Sequence, residues 1–397
     1  MTNTPPVYEP FGRHTWRDPF TVYRRLREED PVHKSPRGFW VLTRFQHVFE
    51  AVKDTATFSS AQGLTFQNER ELLHIPPTIV MMDPPDHTRY RRLVDRGFTP
   101  RRTIELEPEL RRFVIERIEK LKSEGAGDFV ATVARTLPSW VVAHYLGVPE
   151  ADRHRFEGWT HAFVQANAQG HGTDAGAALG DLVAYFSELI ERRRREPSDD
   201  LVSILLRADD EGAGVGVEGI LGYAFVMIAG GNDTTTGLLA GSAALLTQNP
   251  LQRQRLLADP SLIPNAVEEF LRLTTPVQGL CRVATRDVTI EGGPTIQAGE
   301  RVLLCYAAAN RDPREFGPHA EELDVGRSIT RHLTFSIGAH FCLGAAAARL
   351  QGRIVLEELL ARCPRFAVDA EAGVFADGAF TRRYESLPIV MEASPAH

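Results

Sequence analysis

Residues 332–350 read HLTFSIGAHFCLGAAAARL. Before Cys342 the chain is glycine-containing and irregular. After it, LGAAAARLQGRIVLEELLARC is strongly helical. Cys342 therefore stands close to a helix N-terminus, where unpaired N–H groups and the helix dipole favour a thiolate. Gly338 and Gly344 permit tight turning and the close approach of a planar ligand. A zinc site needs two to four ligands at suitable spacing, whereas Cys281, Cys305 and Cys363 stand alone and no CxxC exists. A nucleophilic or redox-sensing thiol and a buried inert cysteine are the other readings of such a residue. Neither accounts for the glycines or for His340. A single thiolate serving as axial ligand to a haem accounts for the set best.

The rest of the chain suits a large folded body around such a group. The 397 residues are 43% hydrophobic and 24% charged, with a formal net charge of -7. These values disfavour disorder, a disulfide-stapled secreted scaffold and a dedicated nucleic-acid binder. The N-terminus lacks the basic-then-apolar pattern of a signal peptide, and no stretch approaches the ~20 apolar residues of a membrane span. A cytoplasmic location and no membrane anchor are expected. No repeat or low-complexity linker divides the chain, so one domain over 1–397 is expected.

Helical periodicity dominates, at 18–28, 46–53, 88–97, 105–123, 128–145, 150–165, 176–195, 199–207, 217–247, 250–257, 263–273 and 343–362. Pro264 falls in a first helical turn, where its missing N–H costs nothing. Strand patterns are fewer: 39–44, 286–290, 300–307 and the C-terminal SLPIVME. The predicted fold class is mainly α with a minor β component, taken as antiparallel.

Segment 217–247 is apolar nearly all round, as a buried central helix should be. Its middle nevertheless holds Gly230, Gly231, Asn232, Asp233 and three threonines. Either two helices meet at a GGND turn, or one helix lacks side chains where something bulky and flat lies against it, with an acid and a hydroxyl placed at that surface.

A haem carries two propionates that need cationic or hydrogen-bonding partners. His87 and Arg91 are i and i+4 on one helix face, Arg282 precedes a strand, and His340 lies two residues before the cysteine. Glu269 and Arg272, i and i+3, form a partly buried pair that Arg327 is placed to join, with a structural role around the cysteine loop.

Together these residues resemble the cytochrome P450 superfamily, in its soluble bacterial, actinobacterial or mycobacterial form. FSIGAHFCLG at 335–344 is similar to its haem-binding signature Phe-x-x-Gly-x-x-x-Cys-x-Gly, which includes Phe335, Gly338, Cys342 and Gly344. Glu269-Phe-Leu-Arg272 is similar to its Glu-x-x-Arg pair, Gly230-Gly231-Asn232-Asp233-Thr234 to its oxygen-activating helix, and His87-Thr-Arg-Tyr-Arg91 to its propionate-binding His-x-x-x-Arg. The motifs extend from about residue 83 to 350. Two departures are mild: Ala347-Ala348-Arg349 replaces the usual Leu-Ala-Arg, and Ser336 stands where family members often carry glycine.

The resemblance implies a P450 fold, with haem b held between the long helix and the cysteine loop and Cys342 as the axial iron ligand. It implies a monooxygenase in which Asp233 and Thr234 handle protons. Electrons would come from NAD(P)H through separate redox proteins, a ferredoxin and its reductase or a similar chain, with Arg91, Arg92, Arg101 and Arg102 as a docking face. A hydrophobic small-molecule substrate is expected, lined by residues 61–80, Ala229, Gly230, Asp233, Thr234, Val277 and Gln278, with 61–80 and 165–178 as access loops. A peroxide-driven peroxygenase and a non-catalytic haem sensor are the alternatives.

Overall fold

The computed structural model describes residues 6–9, 13–67, 78–95, 97–153, 155–156, 158–159, 173–378 and 380–392. The expected access loops therefore fall largely outside the described residues, as does the end of the helix expected at 150–165. Only a short 3₁₀ turn, Glu150–Asp152, and fragments to 159 are described there.

Helices dominate. The longest, Gly216–Gln248, runs unbroken through the GGND stretch for 33 residues, about 50 Å; the two-helix reading is overturned. Its two halves belong to different parts of the core. Ile220, Ala224 and Ile228 pack with Phe186, Leu189 and Leu205 from helices Thr173–Arg195 and Leu201–Ala208. Leu238, Leu239 and Ala243 pack with Val267 and Phe270 of helix Ile263–Thr274 and with Leu350 and Ile354 of the helix that follows the cysteine, Ala345–Arg362. Residues 229–234 lie at the seam between these clusters.

Polar residues pin the helix at this seam. Asn232 is buried, its Nδ2 donates to the Ile228 carbonyl, and its Oδ1 accepts from Ser139 Oγ at 3.1 Å. Thr236 Oγ1 donates to the Ala134 carbonyl at 3.0 Å. That carbonyl belongs to a π-helical turn, Val130–Ala134, which precedes helix Thr136–Tyr145 where a continuous helix was expected at 128–145. A π turn breaks the regular i→i−4 bonding and leaves carbonyls for other partners.

The sheet component is small but not purely antiparallel. Five strands run in the order Val32–Lys34, Trp40–Leu42, Arg301–Leu304, Leu280–Ala284, Phe58–Ser59. Trp40–Leu42 lies parallel to Arg301–Leu304, with Trp40 opposite Val302, and the other pairings are antiparallel. Arg282 sits inside a strand rather than before one. The strand expected over 300–307 stops at Leu304, and Tyr306–Ala309 turns into helix, its run of alanines favouring that conformation.

Candidate functional site

The cysteine loop is closed by its own backbone. The Cys342 N–H donates to the Phe335 carbonyl at 2.9 Å, and the last helix starts three residues later at Ala345. Gly338 adopts φ +65, a left-handed turn that glycine takes freely. Ser336 adopts φ +57 with a buried hydroxyl that has no partner, which accounts for the glycine usual at that point of the motif. Phe335 is buried, with the Arg349 guanidinium 4.7 Å from its ring centroid. Arg349 in turn holds Glu268 through two bonds at 2.7 and 2.9 Å, and Glu268 also meets His332 at 3.2 Å. Burial alone would raise the Glu268 carboxyl, but His332 and Arg349 outweigh it and hold the group at about 2.

Of the four cysteines, Cys281, Cys305 and Cys363 are buried and Cys342 is exposed. The sulfur is nonetheless walled on its protein side. Burial pushes its thiol above the ordinary value, while the Gly344 N–H, Arg91 and Arg349 pull the other way. The helix start thus helps the thiolate without winning alone. A metal cation at the sulfur would supply the missing charge, since a coordinating thiol deprotonates.

Opposing demands meet in the long helix. A Cβ on Gly237 would stand 2.9 Å from the Arg382 carbonyl, so this glycine serves close packing. A Cβ on Gly230 would meet nothing within 4 Å, and Gly230 is exposed within a buried helix. Ala229, Asp233 and Thr234 beside it are half-buried. Leu343, next to the cysteine, packs against the same cluster as Ile228. An open, side-chain-free helix surface and an open cysteine thus border one core cluster, as a flat ligand between them requires.

Thr234 Oγ1 donates to the Gly230 carbonyl at 2.8 Å. Arg383 Nε lies 2.8 Å from Asp233 Oδ1, although its N–H is not aimed well enough for a hydrogen bond. Burial raises the Asp233 carboxyl, and Arg383 and Arg135 only partly offset this. Nothing in the local sequence signals Arg383: it reaches Asp233 from a distant strand region.

The four cationic candidates converge. The His87 and His340 rings lie 4.3 Å apart, and His340 Nε2 is 3.3 Å from Ser60 Oγ. His340 is pushed down to about 3, first by burial and then by Arg282, His87 and Arg91. His87 is lowered by burial and Arg91, and its buried Nδ1 has no partner. Arg91 Nη1 donates to the Phe341 carbonyl at 2.6 Å and its Nε to Asp95 at 2.9 Å. Two arginines therefore stand beside two imidazoles that burial and the arginines keep neutral, one of them with an unpartnered ring nitrogen. This set fits the two carboxylates of a haem, as the open Cys342 fits its iron.

Glu269 and Arg272 are fully buried, more than expected. Arg272 binds both Glu269 oxygens at 2.7 and 2.8 Å and the Asn310 carbonyl at 2.7 Å. Arg327 Nε joins at 3.1 Å. Val277 is half-buried, whereas Gln278 is fully enclosed, its Nε2 donating to the Thr275 carbonyl at 2.6 Å. Gln278 therefore closes the end of the preceding helix, Ile263–Thr274, and is not on an open surface. The expected basic face is largely neutralised: Arg101 pairs with Glu105, Arg102 with Asp199, and Arg91 turns inward.

Comparison with known proteins accords with this geometry. Residues 11–371 match the family described as Cytochrome P450. The chain belongs to the cytochrome P450 family. It is 54% identical over 391 residues to cytochrome P450 130 of Mycobacterium tuberculosis, covering 94% of this chain and 95% of that one. It is 38% identical to the vitamin D(3) 25-hydroxylase of Pseudonocardia autotrophica, covering 96% of each. Among solved structures, the Bacillus subtilis P450 PksS superposes with a TM-score of 0.89 at 31% identity, over 98% of this chain and all of that one. This P450 is thus a haem-thiolate monooxygenase, an enzyme whose family implies a haem and electrons supplied from outside. Among its described residues, no helix is long and apolar enough to cross a membrane.

Proposed function

We propose that this P450, one domain over 1–397, holds haem b through Cys342 and oxidises a hydrophobic small molecule at residues 229–234. The observation that carries the reading is one open cysteine whose loop meets Arg91, Arg282 and the adjacent imidazoles of His87 and His340. When bound, the haem supplies oxygen activation and electron transfer. Cys342 contributes the thiolate, and Arg91 and Arg282 with the His87 and His340 imidazoles bind and orient the propionates. Glu269, Arg272 and Arg327 keep the surrounding core rigid, while Phe335, Gly338 and Gly344 shape the loop.

Asp233 takes up a proton at its carboxyl, which burial favours, and passes it toward Thr234 Oγ1. Thr234 moves it on into the open space beside Gly230. The missing side chain at Gly230, with Ala229 and Val277, leaves an apolar surface for substrate. Electrons are proposed to come from NAD(P)H through a separate ferredoxin and reductase, and the protein to work in the cytoplasm.

The relatives suggest probes. One is named a vitamin D(3) hydroxylase, another a mycinamicin IV hydroxylase/epoxidase, and a related structure holds testosterone. Titrating the haem-loaded protein with vitamin D3, testosterone and a macrolide, reading the haem difference spectrum, and analysing products with a ferredoxin system tests the reading. A spectral shift followed by a product one oxygen heavier supports it. Binding without oxidation of any probe, or oxidation by peroxide alone with no gain from the redox chain, counts against it.

A further inference from the structure

The acid of the long helix is held by a residue from the far end of the chain. Thr381 bridges to Val277, and strand Tyr384–Ser386 pairs with Val374–Phe375, so the backbone between them is fixed at both ends. The Arg382 carbonyl leans on the long helix at Gly237, where a side chain would collide with it. Gly237 is one turn beyond Asp233 on the same face. The contact therefore delivers the next residue, Arg383, onto the Asp233 carboxylate, with Nε 2.8 Å from Oδ1. Both side chains are largely enclosed, with 6% and 19% exposure, so water screens the pair poorly.

We propose that Arg383 is the positioning residue of Asp233, holding its carboxyl in place beside Thr234 and governing how readily it takes up a proton. Arg383 acts through Asp233 and touches no reacting atom. The charged groups around the carboxyl are Arg383 and Arg135, which favour the carboxylate, and Glu385, which opposes it. Removing Arg383 removes the nearest cation, so the proton is held more tightly. Removing the Glu385 charge does the opposite.

The inference rests on the acid role proposed for Asp233, but its test does not depend on turnover. The infrared carboxyl band of the ferric holoenzyme is followed against pH, with Asp233→Asn identifying the Asp233 contribution. Arg383→Gln is expected to raise the midpoint by at least about one pH unit, tenfold in proton affinity. Arg383→Lys restores most of the shift, and Glu385→Gln lowers the midpoint. A midpoint unchanged in Arg383→Gln, with the Soret band and melting intact, overturns the proposal. If Arg383→Gln does not fold, Arg383→Met is measured in its place, and an unmoved midpoint there overturns the proposal equally. Failure of the acid role itself is seen separately, as unaltered peroxide release in Asp233→Asn.

Discussion

Replacing Glu269 with glutamine removes the carboxylate shared by the Arg272 and Arg327 guanidiniums. Arg272 is fully buried and Arg327 nearly so, at 14% exposure of its side chain. Glu269 also accepts from the Asp324 N–H at 3.1 Å. Glutamine keeps one acceptor oxygen but turns an NH2 toward Arg272, leaving a buried charge without a counter-ion. Breaking a buried pair in this way costs about 3–5 kcal/mol. At about 2.1 cal/mol/K per residue, unfolding a chain this long carries an entropy of roughly 0.8 kcal/mol/K. A loss of about 4 kcal/mol then lowers the melting midpoint by roughly 5 °C. The control is Arg101→Ala: its pair with Glu105 has 89% and 59% exposed side chains and contributes little. Melting of both variants, followed by far-UV circular dichroism, separates them. If Glu269→Gln melts within a degree of the parent and of Arg101→Ala, the network is not what holds the core around the cysteine loop.

Three further outcomes follow from the same geometry. Gly230→Ala gains helix propensity of up to about 1 kcal/mol without a clash, whereas Gly237→Ala forces a Cβ against the Arg382 carbonyl and costs about 1–3 kcal/mol. Their melting points should differ by roughly 3 °C in favour of Gly230→Ala, and equal values would refute the division between open and packed faces. Thr234→Ala should retain haem and consume reductant while releasing more peroxide and less product; unchanged coupling removes Thr234 from proton handling. Glu268, held at about 2 by His332 and Arg349, contributes stability that is complete above its unfolded value and lost as pH falls toward 2. Melting between pH 5 and 3 should therefore fall more steeply in the parent than in Glu268→Gln, and parallel curves would contradict the pairing.

The cysteine loop, the Glu269–Arg272 pair and the long helix were legible because each is a local pattern in which residue chemistry and spacing coincide. Most helix positions followed from periodicity for the same reason. Pairings made across the chain carry no such mark. The parallel contact of Trp40–Leu42 with Arg301–Leu304 joins segments that no turn connects. Strand Leu280–Ala284 is buried along most of its length, so it lacks the alternation that identifies a half-exposed strand. Gln278 sits beside Val277 in sequence yet turns inward, because its amide satisfies the carbonyls at a helix end. Arg383 was invisible for a related reason: an arginine among TRRYES reads as surface charge until the fold lays it on Asp233.

The account turns on Cys342 as the iron ligand. The measurement that reaches it directly is the absorption spectrum of the haem-loaded protein, reduced and exposed to carbon monoxide. The parent should give the red-shifted Soret band of a thiolate-ligated haem, and Cys342→Ala should lose that band even where haem is retained. Persistence of the thiolate-type band in Cys342→Ala, or its absence from a correctly folded, haem-loaded parent, would contradict the account.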